Sequence, residues 1–212
     1  MPTATRTSAS PLAMLATAGA DGMLATAGAD GQTPPMRQLL LLRHAKSSWD
    51  DKELPDRERP LNPRGRRAAT AMREAMEKLG LVPDLVLVST AVRTRQTLEA
   101  LEPWPETPLI EPVERLYDAE VTDLFEVLRE VKETVRSVLV VAHNPGLHEL
   151  AMSLVGAHAM TFASADLRRL AEGYPSGALT EFTVPGPWFS LGEGGGRLVR
   201  FLCPRDLPDA GE

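Results

Sequence analysis

The chain has 212 residues, enough for one domain with a sizeable core. Hydrophobic residues make up 43% and charged residues 25%, which fits a soluble globular protein. The formal net charge of −6 argues against a nucleic-acid binder that works by bulk attraction, yet it leaves room for a locally positive cleft.

The single cysteine, Cys203, excludes an intramolecular disulfide and a Cys-based metal cluster, and it fits a reducing compartment. No apolar run is long enough to span a bilayer, so no membrane association is expected. Pro11–Ala20 ends in small residues, as a signal peptide does. Its apolar stretch is diluted by Thr and Gly, however, and only Arg6 precedes it; a cytoplasmic protein is the expectation.

Residues 1–35 are rich in Ala, Thr and Gly and nearly free of charge. The nonapeptide MLATAGADG at Met14–Gly22 recurs letter for letter at Met23–Gly31. Two such units have too little apolar surface to offset the entropy of ordering, so a disordered low-complexity tail is expected over 1–35. Met36, just before the first strand, is an alternative start to Met1. The expected domain runs over 36–207, followed by a short tail at 208–212.

Leu39–Leu42 is a continuous apolar run ending in Arg43-His44, the pattern of a strand buried on both faces. Asn62-Pro63 opens a helix with Asn as cap and Pro in the first turn. Its buried face is marked by Ala68, Ala69, Met72, Ala75, Met76 and Leu79, and Gly80 closes it. A strand follows at Leu85–Val88, then helical sequence from about Arg93 to Leu101. Pro103, Pro105 and Pro108 break the chain before a short strand at Leu109-Ile110. Thr122 is read as the cap of a helix whose apolar positions are Leu124, Val127, Leu128 and Val131. Val138–Ala142 is a third strong strand, ending at His143, and Leu147–Leu154 reads as helix. Gly177–Val184 and Arg197–Leu202 read as late strands, antiparallel to the others. Alternation of strand and helix predicts an α/β fold: a three-layer α/β/α sandwich with a mostly parallel central sheet.

Two of the four histidines, His44 and His143, directly follow buried strands, and Leu85–Val88 leads through Ser89-Thr90 to Arg93 within one turn. Ligands of open α/β sheets bind beyond the carboxyl ends of strands. Three strand ends would therefore deliver Arg43, His44, Arg93 and His143 to one rim. Guanidinium forks match a phosphoryl group in geometry and stay charged at any working pH.

The local strings carry a resemblance. Leu41-Leu42-Arg43-His44-Ala45-Lys46 resembles the Arg-His-Gly segment of the histidine phosphatase (phosphoglycerate mutase-like) superfamily, with Ala45 in place of the usual Gly. Ser89-Thr90-Ala91-Val92-Arg93-Thr94-Arg95-Gln96-Thr97 resembles its second segment, and Val140–Gly146 its late catalytic His. Pro60-Leu61-Asn62-Pro63-Arg64-Gly65 is similar to its Pro-Leu-Thr-x-x-Gly stretch. The compact size, Arg43–Trp49, Glu114–Ala119, Tyr174–Ala178 and Cys203–Leu207 resemble the SixA-like branch of phosphohistidine phosphatases.

The resemblance implies a phosphatase without metal or other cofactor, in which His44 is a neutral nucleophile kept so by Arg43 and Arg93. Arg43, Arg93 and His143 would grip the non-bridging oxygens. Glu114, or alternatively Asp118, would supply a proton to the leaving group, and Lys46 would extend the substrate-binding rim. The implied substrate is a phosphorylated protein, as phosphohistidine, or a small phosphomonoester. A sugar-phosphate or nucleotide-loop phosphatase and a non-catalytic phospho-binding protein are the alternatives. A monomer or weak dimer without nucleic-acid partners is expected. His148 and His158 are read as structural or surface residues, Arg57 and the Arg64, Arg66 and Arg67 cluster as solvated charge, and Trp49 as core filler.

Overall fold

The computed structural model describes residues 36–159 and 164–208, without the side chains of 158 and 159. The repeated tail and the signal-peptide reading fall outside the described residues, and the His158 side chain is not described.

Strand β1 (Arg37–Arg43) shows why four leucines run together. Successive side chains point to opposite faces of a sheet. Leu39 and Leu41 join one apolar cluster and Leu40 and Leu42 the other. Both faces are covered, so all four leucines are buried. β2 (Leu85–Ser89) and β4 (Ser137–Ala142) are buried throughout for the same reason. Helices α1 (Pro63–Lys78) and α2 (Val92–Glu99) cover one face through Met72, Met76 and Leu98. Helices α3 (Val121–Arg129), α4 (Gly146–Ala159, broken at Gly156) and α5 (Ala165–Glu172) cover the other through Leu124, Leu128, Leu147, Leu150, Leu167 and Leu170.

With β3 (Leu109–Val113), β5 (Leu179–Val184) and β6 (Arg197–Leu202), the six strands lie in the order β3-β2-β4-β1-β5-β6. The pairings from β3 to β1 are parallel, and those of β5 with β1 and with β6 are antiparallel. This is the expected three-layer α/β/α sandwich with a mostly parallel sheet. β6, antiparallel to its neighbour, runs in the same direction as β1. It is not reversed against the whole sheet as the sequence reading had it.

Three other boundaries differ from the reading. β3 extends to Val113 and is exposed, an edge strand where Pro112 is tolerated because its missing N–H faces no partner. Helix α3 is capped by Glu120, not Thr122. The Glu120 side chain meets the N3 backbone, and Asp123 Oδ2 accepts from the Glu120 N–H at 3.0 Å. Helix α5 was not anticipated; Ser164 Oγ caps it by accepting from the Leu167 N–H at 3.1 Å.

Candidate active site

Three neighbouring strands end level with one another. Arg43 of β1 pairs with Ala142 of β4, and Val88 of β2 pairs with Val141. The chain therefore leaves the sheet as Arg43-His44, Ser89 and Ala142-His143 along one rim, with strands about 4.8 Å apart. Helix α2 begins at Val92 and places Arg93 in its first turn. Arg43, His44 and Arg93 share the wall of a cavity of about 710 Å³. His143 is not on that wall; its ring packs behind it, with its centroid 5.0 Å from that of His44. His44, Arg93 and His143 are each less than one-tenth exposed, at 9%, 8% and 8%.

His44 Nδ1 lies 2.8 Å from the Ala45 carbonyl oxygen. A carbonyl only accepts, so Nδ1 carries the proton and Nε2 keeps a free lone pair. Burial pushes the imidazole down to about 4; the Ala45 carbonyl opposes this, and Arg93 and Arg43 add to it. The ring is thus neutral near pH 7, as the sequence reading required, but desolvation leads and the arginines follow. The His143 ring is pushed down to about 3, first by burial, then by His44 and Arg93. Its Nε2 lies 2.8 Å from Ser89 Oγ, while Nδ1 is buried without a hydrogen-bond partner among the described residues.

Each arginine is held in place. Arg43 Nη1 donates to the Tyr174 carbonyl at 2.7 Å, and Asn144 Nδ2 donates to the same oxygen at 3.0 Å. That carbonyl is fixed because the Tyr174 hydroxyl, buried in the core, donates to the Leu41 carbonyl at 2.6 Å. The next residues turn at Gly177, whose φ of +77° favours glycine. Its N–H reaches the Arg43 and His44 carbonyls, each at 3.1 Å. Arg93 gives Nη1 to the Asp56 backbone oxygen at 2.5 Å and Nη2 to Asp56 Oδ2 at 2.8 Å. The Tyr117 hydroxyl donates to the same carboxylate oxygen at 3.1 Å, and its ring edge meets His143 at 5.6 Å.

The Pro60–Gly65 stretch has a steric role. A Cβ on Gly65 would stand 2.1 Å from the Lys46 carbonyl oxygen, so only glycine lets α1 reach the segment after His44. The Lys46 carbonyl also accepts from the Asn62 N–H at 3.0 Å, and the Ala45 N–H donates to Thr97 Oγ1 at 3.0 Å.

Glu114 is placed elsewhere. It lies in the 3-10 turn Glu114–Leu116, outside the cavity wall, with Oε2 bonded to Arg57 Nη2 and, at 2.9 Å, to Thr90 Oγ1. The hydrogen bond from Arg57 holds its carboxyl below the usual range, an environment for an anion and not for a proton donor. Asp118, with φ of 54°, sits in the turn before α3 and is also off the cavity wall. Lys46 is on the wall and exposed. Trp49 is 66% exposed on the same wall, with the Arg59 guanidinium 3.6 Å from its ring centroid, so it is not core filler. Arg57 is bonded to Thr90 and Glu114 and is not merely solvated, whereas Arg64 is exposed as expected and lines the cavity. His148 is structural, its Nε2 donating to the Leu170 carbonyl at 2.8 Å. Asp56 and Tyr117 were missed as site residues. Asp56 lies in an aperiodic polar stretch, and nothing in it indicates which arginine it will meet.

Among the described residues, no group of three or more His, Cys, Asp or Glu side chains is placed to hold a metal ion. No described helix is long and apolar enough to cross a membrane.

Fold and charge together describe an α/β protein with an arginine-walled anion cavity at the ends of its parallel strands. Residues 39–121 match the histidine phosphatase superfamily (branch 1). Over 167 residues the chain is 35% identical to the Mycobacterium tuberculosis "Uncharacterized protein Rv1276c", covering 77% of this chain and 100% of that one. Among solved structures, a candidate phosphohistidine phosphatase SixA from Nakamurella multipartitia superposes with a TM-score of 0.71 at 28% identity, covering 82% of this chain and 99% of that one. A tungstate complex of the protein histidine phosphatase SixA superposes with a TM-score of 0.64 at 23% identity, covering 80% and 98%, a likeness of fold. The chain belongs to the SixA-like branch of the histidine phosphatase superfamily. It is accordingly a phosphatase, acting on phosphorylated substrates.

Proposed function

We propose that the protein hydrolyses phosphohistidine or a small phosphomonoester through a covalent phosphohistidine on His44, carried by its domain at 36–207. The observation that carries this reading is the Nδ1–H bond to the Ala45 carbonyl at 2.8 Å, which leaves Nε2 unprotonated beside two arginines. The Nε2 lone pair attacks phosphorus, a P–N bond forms, and the bond to the leaving group breaks with its electron pair on the departing atom. Water then attacks phosphorus, the P–Nε2 bond breaks, and inorganic phosphate leaves with His44 neutral again.

Arg43 and Arg93 stabilise the charge on the equatorial oxygens; their positions are fixed in advance by Tyr174 and Asp56, so little reorganisation accompanies the step. His143 contributes a neutral donor at Nδ1 when the Ser89 hydroxyl donates to its Nε2. Glu114, ion-paired to Arg57, is a poor proton donor. This favours a leaving group that needs little acid catalysis, such as the imidazole of a phosphohistidine. The cavity volume of about 710 Å³, within the range of small-molecule pockets, favours the second reading, a phosphorylated metabolite. A purely phospho-binding role is disfavoured by a complete set of nucleophile and anion-stabilising groups.

The test is a substrate panel in EDTA with wild type and His44→Ala in parallel. We expect turnover by wild type, at least about 1,000-fold loss in the variant with the fold kept, and a trapped phosphoenzyme that is acid-labile and base-stable. Retained activity in His44→Ala, or a base-labile adduct, would remove His44 as nucleophile.

A further inference from the structure

In the proposed function Arg43 and Arg93 engage one phosphoryl group, and the same cavity wall carries further basic side chains. Lys46, Arg64 and Arg205 line the same cavity as Arg43 and Arg93, and among the described residues Asp56 is the one acidic side chain on the wall. Asp56 is already engaged by Arg93. Among the described residues, Lys46 and Arg64 have no hydrogen-bond or ion-pair partner, and both are exposed. Among the described residues Arg205 reaches only Asp206, with Nε 3.9 Å from Oδ1, and Asp206 is otherwise occupied by Arg169. Lys46 and Arg64 are held near each other because Asn62 and Gly65, which flank Arg64, touch the Lys46 backbone. The first turn of α1 adds its positive end and contains no acidic residue. In a chain of net charge −6, Lys46, Arg64 and the loosely paired Arg205 on one concave wall concentrate positive potential where a substrate must enter.

We propose that Lys46, Arg64 and Arg205 form a second anion subsite, so that preferred substrates carry a negatively charged group besides the phosphoryl that reacts. This rests on the phosphatase reading above. An acidic residue flanking a phosphohistidine and a carboxylate or second phosphate on a small metabolite present the same chemistry to this wall.

Two matched pairs of substrates test it. One pair is 4-(carboxymethyl)phenyl phosphate and its amide, 4-(carbamoylmethyl)phenyl phosphate, which differ in charge and scarcely in leaving group. The other is a phosphohistidine peptide with a glutamate flank and the same peptide with glutamine there. We expect kcat/KM to favour the charged member by about 5–10-fold at low salt, with the preference shrinking as ionic strength rises. The preference should fall towards one in the Arg64→Gln/Arg205→Gln double variant. A preference confined to the aryl pair assigns the subsite to small metabolites; one confined to the peptide pair assigns it to acidic flanking residues. Equal turnover of both members in both pairs, or a preference untouched by the double variant, overturns the subsite and leaves the phosphatase reading standing. No turnover of any member counts against the phosphatase reading itself.

Discussion

At the scale of single residues, the site is set by what burial does to imidazoles and what arginines do to each other's partners. His44 and His143 are neutral when folded, at about 4 and about 3, whereas the unfolded chain protonates them below about pH 6.5. The unfolded state takes up more protons as pH falls, so stability is full above about pH 6.5 and drops towards pH 4, on the order of 3 kcal/mol for His44 alone. Urea denaturation at pH 7 and pH 5 should show this loss, with the slope flattened in His44→Asn/His143→Asn. Asp56 offers a second expectation. Its carboxylate is partly buried, which alone would raise its pKa; the bond and charge of Arg93 outweigh this and hold it low, so it is an anion on the cavity wall beside Arg93. Asp56→Asn keeps an oxygen for Arg93 but removes the charge. Inorganic phosphate should then inhibit about 5–10-fold more tightly, read as Ki in a turnover assay. Weaker inhibition would mean that holding Arg93 matters more than the repulsion. His44, Arg43, Arg93 and His143 were legible because each follows a strand or opens a helix; Asp56 and Tyr117 were not, since a hydrogen bond across 37 residues leaves no local pattern.

At the scale of elements, the contact between α1 and the segment after β1 links the helix to His44. In a helix, Gly to Ala ordinarily gains about 0.5–1 kcal/mol. Here the new Cβ would stand 2.1 Å from the Lys46 carbonyl oxygen, so the sign reverses. Gly65→Ala should cost about 1–3 kcal/mol in chemical denaturation and lower kcat/KM, because Lys46 is two residues from His44. An unchanged midpoint would show that α1 can shift freely. The start of α1 was readable from Asn62-Pro63, as Asn62 Oδ1 does accept from the Gly65 N–H at 2.7 Å. Helix α5 was not, since its apolar face amounts to Leu167 and Leu170. Glu120 as the cap of α3 was hidden because capping depends on which carboxylates end up reciprocally bonded.

At the scale of the whole molecule, the described fold begins with β1 at Arg37, and the Mycobacterium tuberculosis relative is matched along its full length by 167 residues of this chain. A chain starting at Met36 should therefore keep its thermal midpoint and its kcat/KM within about twofold; a larger fall would assign residues 1–35 a part in the fold or the site. The sequence by itself determined the layered α/β architecture and that Arg43, His44, Arg93 and His143 lie at or just after strand ends. Apolar runs and the positions that follow them are local properties, and a buried parallel strand has little freedom in its composition. Only the tertiary structure decided which arginine Asp56 restrains, that Glu114 faces Arg57, and that Lys46, Arg64 and Arg205 share a wall with His44. Those are pairings between side chains on separate elements. They are fixed by the order β2-β4-β1 in the sheet and by helices packed against it, a three-dimensional outcome that no single stretch of the chain encodes.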